Sequence, residues 1–206
     1  MHVTGISGHF ALLHHQMINQ FFFDGISHIT DTSGYDHMLF LVALCAPFAF
    51  RQWKTLVWLA TAFTVGHSLS LILAGLDIIR FPSILIEILI PVTIIITCVL
   101  NFTERNKSFE GIKPIRYLAT IGFGVIHGMG FSSYFRMLFD DSSEVVQRLL
   151  FFNLGVEAGQ ILIILVYLLI AALIVRSGFK QKKVSDIVSI CALLISTYLL
   201  FEKIVS

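Results

Sequence analysis

Two histidines and an aspartate stand directly before an apolar run in the segment HITDTSGYDHMLFLVAL, residues 28–44. His28, Asp36 and His37 offer imidazole nitrogen and carboxylate oxygen, the donors that bind nickel, cobalt and zinc in proteins. Ionisable side chains in a hydrocarbon environment are costly, so they are expected to face a protein interior or a water-filled cavity. The segment therefore indicates a metal site at the edge of a hydrophobic element.

Three later apolar segments also carry polar side chains, and these side chains recur at helical spacing. The segments read TAFTVGHSLSL, GFGVIHGMGF and FFNLGVEAGQ. Residues three or four positions apart share one face of a helix, so each segment can point a polar stripe into a bundle. The predicted metal ligands are His28, Asp36, His37, His67, His127 and Glu157. The predicted supporting residues, which pack beside the ligands, are Ser68, Asn153 and Gln160.

The elements that must position these residues are membrane-spanning helices. The chain has 206 residues with a mean hydropathy of +0.86 and 13% charged residues, about half the charged fraction of a soluble domain. Apolar stretches of about 20 residues recur along it, as in spanning helices. The sequence predicts an all-α polytopic protein in a lipid bilayer, a single domain over residues 1–206 with six transmembrane helices. The predicted spans are residues 35–50, 55–76, 83–103, 117–139, 149–175 and 185–204.

The segment before the first span, residues 1–34, is predicted to lie outside the cytoplasm. Residues 10–23 are too short and too polar to span, so we predict an interfacial helix or a lid over the outer surface. The start of the chain lacks the basic region of a secretory signal, so we read it as part of the mature chain. Four histidines in this segment are predicted to be in solvent, where they can also gather metal ions: His2, His9, His14 and His15.

Lysine and arginine in the loops set the predicted orientation. Ten of the fourteen basic residues fall in three alternate loops, and cytoplasmic loops carry the excess of positive charge. Both termini are therefore predicted to be extracytoplasmic, in the inner (plasma) membrane of the cell. At about 1.5 Å rise per residue, His67, His127 and Glu157 lie in the outer half of their spans. This depth favours a cavity that opens to the outside.

Charge and cysteine content argue against other classes of function. The formal net charge is +1 and no basic tract is present, so the sequence does not indicate a nucleic-acid partner. Cys45, Cys98 and Cys191 each sit in an apolar run without a CxxC pair, a pattern typical of packing residues rather than of a disulfide or thiolate site.

The motifs together resemble the HupE/UreJ family of small membrane proteins. The resemblance rests on GISHI, GYDHMLFLVAL, FTVGHSLSL, HGMGF and FNLGVEAGQ, which lie between residues 25 and 160. It implies a nickel or cobalt permease or a metal-uptake accessory. It also implies a site formed by His28, Asp36 and His37 with the histidines and Glu157 of the later motifs. Seven residues separate His28 from Asp36, more than in the family's pattern, which makes His28 a weaker candidate ligand than His37.

Three classes of function fit these observations. Transport of a divalent ion, with nickel or cobalt as the first candidates and zinc or copper as others, is the favoured hypothesis. The alternative is an intramembrane metal-dependent hydrolase in which Glu157 is the general base for a metal-bound water. A metal sensor or an assembly partner is a third class, and a homo-oligomer or a partner membrane or periplasmic protein is compatible with all three.

Overall fold

Seven α-helices make up the part of the chain that the structure describes. The structure is a computed structural model that describes residues 19–31, 34–104, 114–131 and 145–205. The helices are α1 (residues 19–30), α2 (Asp36–Cys45), α3 (Trp53–Gly75), α4 (Ser83–Glu104), α5 (Pro114–Gly130), α6 (Val145–Arg176) and α7 (Gln181–Val205). A single 3-10 turn, Phe50–Gln52, leads into α3. Within these ranges no strand is present, so the predicted all-α class is confirmed.

Four of the helices are long and apolar enough to cross a membrane: α3, α4, α6 and α7. With ten residues, α2 is about 15 Å long, half the thickness of a hydrocarbon core of about 30 Å. The predicted span over residues 117–139 corresponds to α5, and its residues 132–139 lie outside the described residues. The helices coincide with the predicted spans in position, while the count of six crossings is not confirmed.

The short helix α2 forms the centre of the bundle. It contacts α4, α6 and α7, and Phe40, Leu41 and Leu44 on it are almost wholly buried. The outer faces of the long helices expose many leucines and isoleucines, as expected for surfaces that meet lipid tails. Cys45 and Cys98 are buried and unpaired. The apolar environment of α2 is therefore protein rather than lipid.

Side-chain contacts fix the relative directions of the helices. Lys203 at the end of α7 pairs with Glu87 near the start of α4, with 2.8 Å between Nζ and Oε2. Asn101 near the end of α4 meets Ser189 near the start of α7, so these two helices are antiparallel. The bundle has two ends, which we call the Glu87 end and the Arg116 end. Arg116, near the start of α5, donates a hydrogen bond to Asn101.

The helix α1 packs within the bundle. A β-carbon added at Gly25 would collide with the Phe152 carbonyl of α6, and one added at Gly155 would collide with the Phe22 carbonyl. The two backbones approach this closely because neither glycine has a side chain. The described part of the predicted interfacial segment, residues 19–23, thus belongs to a helix that runs to residue 30 and packs against α6. Residues 10–18, and His2, His9, His14 and His15, lie outside the described residues.

A second pair of helices, α3 and α5, depends on the same kind of contact and gives a test. A β-carbon at Gly124 would meet the Phe63 carbonyl, whereas one at Gly122 has no neighbour within 4 Å. We expect Gly124→Ala to destabilise the protein by about 1–3 kcal/mol through overpacking. Gly122→Ala should be neutral or mildly stabilising, because alanine favours helix over glycine by about 1 kcal/mol. Thermal unfolding of both variants in the same detergent measures this, and equal midpoints would contradict the close contact.

Candidate metal centre

Three imidazole rings from three different helices meet in the interior of the bundle. His28 lies near the end of α1, His37 at the start of α2 and His67 in the middle of α3. One potential ligand atom from each of the three lies within 4.8 Å of the others. The ring centres of His28 and His37 are 4.7 Å apart, and that of His67 is 5.7 Å from His28. Residues distant in sequence thus form one compact group of nitrogen donors.

A fourth histidine adjoins this group. The ring centre of His127, on α5, lies 5.1 Å from that of His37, and the side chains of His67 and His127 are wholly buried. Within the described residues, the Nε2 atoms of all four histidines are buried and have no hydrogen-bonding partner. Buried polar atoms without partners are rare in proteins and call for an explanation. We call these four residues the histidine cluster.

The other ring nitrogen is held in place in three of the four. The Nδ1 of His37 lies 3.0 Å from Asp36 Oδ1, and that of His127 lies 2.8 Å from the Phe123 carbonyl. The Nδ1 of His67 faces Asn153 Oδ1 at 3.5 Å. Because each partner oxygen can only accept, each Nδ1 carries the proton, which leaves the lone pair on Nε2. Metal-bound histidines in proteins use the same arrangement, with a carboxylate or carbonyl behind the ring.

Aromatic side chains enclose the cluster. Phe131 lies against His28 with 4.0 Å between ring centres and stacks on Phe152. Phe40 and Phe63 each lie 5.2 Å from His127. These rings limit the access of water, and a low local dielectric strengthens electrostatic interactions within the site.

The backbone favours a cation at the same place. The helix α1 ends two residues after His28, and α5 ends at Gly130, three residues after His127. The C-terminal end of a helix carries the negative end of its dipole, which stabilises a nearby positive charge.

A tetrahedral ion with bonds of about 2 Å keeps its ligand nitrogens about 3.3 Å apart. Side chains whose ligand atoms lie within 4.8 Å therefore need to close in by up to about 1.5 Å to hold one ion.

The two predicted carboxylate ligands contact different partners. Asp36 Oδ1 accepts hydrogen bonds from both the ring and the backbone N–H of His37. Glu157 Oε1 accepts from the Thr61 hydroxyl at 2.6 Å. Neither carboxylate belongs to the group within 4.8 Å. Asp36 thus contacts a ring of the histidine cluster directly, whereas the described contact of Glu157 is with Thr61.

The predicted supporting residues have distinct surroundings. Asn153 Nδ2 donates to the Leu149 carbonyl, which turns the amide oxygen toward His67. Gln160 accepts from Thr64 at 3.0 Å, and its buried Nε2 has no partner within the described residues. Ser68 donates to the Thr64 carbonyl of its own helix and contributes no described bond to a histidine.

Sequence reasoning missed two kinds of contact. The Phe123 carbonyl that holds His127 is a backbone group, and no residue type signals its role. Thr61 and Thr64 hold Glu157 and Gln160. The spacing in the sequence already places Thr64 on the His67 face, whereas Thr61 was not singled out; it lies three positions before Thr64, and that spacing is the signal by which it could have been found.

The ligand assignment predicts the behaviour of single variants. His37→Ala, His67→Ala and His127→Ala should each remove most bound metal, since an incomplete ligand set holds the ion weakly. Asn153→Ala should lower affinity by roughly 10- to 100-fold, as is usual when the partner behind a ligating histidine is removed. Ser68→Ala is the matched control and should bind as wild type. Metal content and titration of purified protein measure these effects, and undiminished metal in all three histidine variants would exclude the site.

Comparison with known proteins agrees with this chemistry. A model of the HupE / UreJ protein family matches residues 9–203, nearly the whole chain. Neither the curated proteins nor the solved structures gave a match. The family match covers every residue of the histidine cluster and confirms the resemblance that the sequence motifs carry. The chain belongs to the HupE/UreJ family.

Proposed function

We propose that the protein binds a divalent transition-metal ion at the histidine cluster and carries it across the membrane. The observation that carries this proposal is the set of four buried Nε2 atoms without partners in the described residues. In three of these rings the Nδ1 atom is hydrogen-bonded to an oxygen acceptor. The ion is the cargo of the protein, bound in passing rather than retained. Family membership supports a role in nickel or cobalt uptake.

The donor set restricts the class of ion. Neutral imidazole suits nickel, cobalt, zinc and copper, whereas magnesium and calcium prefer sets of oxygen ligands. The cluster supplies nitrogen from four rings. We propose nickel or cobalt as the physiological cargo, with zinc and copper as ions that the same donors accept.

Charge balance supports a carrier. An ion with two positive charges in a membrane interior needs negative charge nearby. Asp36 reaches the ion through the His37 ring, and Glu157 lies on α6 beside Thr61 of the same helix as His67. Both carboxylates can compensate the charge without direct bonds to the ion. Weak, indirect compensation suits an ion that must leave again.

A metal-dependent hydrolase remains the competing hypothesis. It requires Glu157 to take a proton from a metal-bound water, which needs the carboxylate within hydrogen-bonding reach of that water. Glu157 instead accepts the Thr61 hydroxyl and lies outside the group of close ligand atoms. This arrangement favours the carrier.

The proposed orientation puts the Glu87 end outside the cytoplasm. Seven of the ten described basic residues lie at the Arg116 end: Arg51, Lys54, Arg116, Arg176, Lys180, Lys182 and Lys183. Three lie at the Glu87 end: Arg80, Arg148 and Lys203. The positive-inside rule then makes the Arg116 end cytoplasmic. We propose six crossings, α2 to α7, in an inner membrane, with both termini extracytoplasmic.

Thiol labelling tests this orientation. Ser177 lies in the exposed turn after α6, at the Arg116 end, and Ile78 lies in the exposed turn between α3 and α4, at the other. In a background without native cysteines, Ser177→Cys should resist a membrane-impermeant thiol reagent in intact cells. Ile78→Cys should react, and both should react after permeabilisation. The opposite pattern in intact cells would reverse the orientation.

Uptake into proteoliposomes separates the carrier from the enzyme. We expect radioactive nickel or cobalt to enter vesicles that contain the wild-type protein. Glu157→Gln removes a negative charge near the site, so uptake should weaken chiefly through a lower affinity for the ion. Asp77→Asn, which changes a carboxylate in the α3–α4 turn, is the control and should leave uptake unchanged. Metal that binds tightly to wild type and never crosses would favour the hydrolase instead.

A further inference from the structure

Two helix pairs in the bundle have the same packing in the same register. In the α1–α6 pair, a β-carbon added at Gly25 would meet the backbone of Phe152 and Val156. One added at Gly155 would meet the backbone of Phe22 and Ile26. In the α3–α5 pair, a β-carbon added at Gly124 would meet the backbone of Phe63 and His67. One added at Gly66 would meet the backbone of Ile121 and Val125. Every residue of α5 in this comparison follows its α1 counterpart by 99 positions. Every residue of α6 follows its α3 counterpart by 89 positions.

Further contacts extend the correspondence. Gly159 of α6 lies against Ile29 of α1, and Gly128 of α5 lies against Ser70 of α3. These residues are related by the same two offsets. A chance resemblance between two helix crossings would not reproduce a third contact at the same positions.

The remaining long helices, α4 and α7, obey the first offset as well. Their buried faces match position by position: Ile86, Ile90, Thr93 and Thr97 on α4, and Ser185, Ser189, Ala192 and Ser196 on α7. Each α7 residue again follows its α4 counterpart by 99 positions. By the offset of 99 positions, the counterpart of α2 is residues 135–144, which lie outside the described residues.

Equivalent helices run in opposite directions. The helix α4 is antiparallel to α7, as the Glu87–Lys203 and Asn101–Ser189 contacts require. The helix α6 is antiparallel to α3, because Tyr167 contacts the Ala46 carbonyl just before α3 while Asn153 faces His67 farther along it. A two-fold axis that relates such helices lies across the bundle, parallel to the plane of a membrane. His28 and His127 are equivalent positions, so this axis passes near the histidine cluster.

The two ends of the bundle nevertheless differ. At the Glu87 end, a cavity of about 270 Å³ reaches Asp36, the partner of His37, and Ile90 and Lys203 line it. Ser189, the counterpart of Ile90, has no exposed surface at the Arg116 end. Among the described residues, the surroundings of Ser189 are held together by hydrogen bonds between helices.

Asn101 is the centre of that packing. Its Nδ2 donates to the Ala43 carbonyl of α2 at 2.8 Å and to Ser189 of α7 at 3.2 Å. Its Oδ1 accepts from Arg116 of α5 at 2.7 Å. The Arg116 guanidinium lies over the ring of Phe48, and the residue is 5% exposed. One amide side chain thus ties together α2, α4, α5 and α7.

We infer that the chain is an inverted repeat and that the Asn101 contacts form the gate through which the ion leaves toward the Arg116 end. The inference rests on the proposed transport function. Transport then exchanges the cavity at the Glu87 end for an equivalent cavity at the Arg116 end, as inverted repeats permit. The described structure is the state that is open toward the Glu87 end.

The side chains around the gate suit this role. Thr93, Thr97 and Asn101 follow one another at intervals of four on the buried face of α4. Thr93 and Thr97 place hydroxyl groups on the same buried face as Asn101, and each donates to a carbonyl of its own helix. Once Asn101 separates from Ser189, water can satisfy both side chains, whereas an opened apolar contact would gain no such compensation.

A reversible cross-link tests the gate. Asn101→Cys with Ser189→Cys, in a background with Ala at positions 45, 98 and 191, joins α4 to α7 upon oxidation. We expect the oxidised protein to bind nickel or cobalt as before and to lose uptake into proteoliposomes, and we expect a reductant to restore uptake. Continued uptake by fully cross-linked protein would overturn the gate. Loss of both binding and uptake in the uncrosslinked cysteine-free parent would contradict the proposed function instead.

A second measurement does not depend on the double variant. Ser189→Cys alone should be labelled from the Arg116 side only while metal is being transported. Ile90→Cys, at the equivalent position, should be labelled from the Glu87 side and should lose reactivity under the same conditions. Opposite changes at the two positions would support the exchange of cavities. A Ser189→Cys protein that transports metal and never reacts would overturn it.

Discussion

Close backbone contact at glycine is the constraint on which this structure depends. The α3–α5 contact places Gly124 against the backbone that leads to His67, and the α1–α6 contact places Gly25 against Phe152. Each contact lies within one helical turn of a cluster histidine. Lipid tails are as apolar as leucine, so helix association in a membrane relies on such packing and not on a hydrophobic driving force. Bulkier residues would separate the helices and with them the imidazole rings.

The cluster combines fixed orientation with incomplete bonding. The His37 and His127 rings donate hydrogen bonds to Asp36 and to the Phe123 carbonyl, which sets their direction. Their Nε2 atoms have no partner in the described part of the chain. Fixed ring directions leave the closing of the side chains around the ion as the movement that the proposed site requires. Asp36 would act on an ion only through the His37 ring, with less negative charge at the ion than a direct oxygen ligand gives. Both properties fit the proposed capture and release of an ion.

Much of the fold could be predicted because hydropathy alone specifies the long helices. The bounds of α4 and α6 follow from their apolar runs. His67 and His127 are recognisable because they are ionisable residues within such runs. The packed position of α1 could not be predicted, because it depends on two glycines distant in sequence, Gly25 and Gly155. The repeat is equally faint. Its sequence trace is the similarity of GISH to GVIH and of FTVG to FNLG, since only contact positions are preserved.

The shortness of α2 has a consequence for how the protein is assembled. Its last turn and the residues after it have carbonyl groups satisfied by side chains of other helices: Asn101 at Ala43, Tyr167 at Ala46 and Gln181 at Phe48. A ten-residue segment cannot stay in hydrocarbon alone with these groups exposed. The long helices must therefore insert and associate first, and α2 folds between them afterwards. His37 travels with α2, so the histidine cluster is completed only when α2 packs between the long helices.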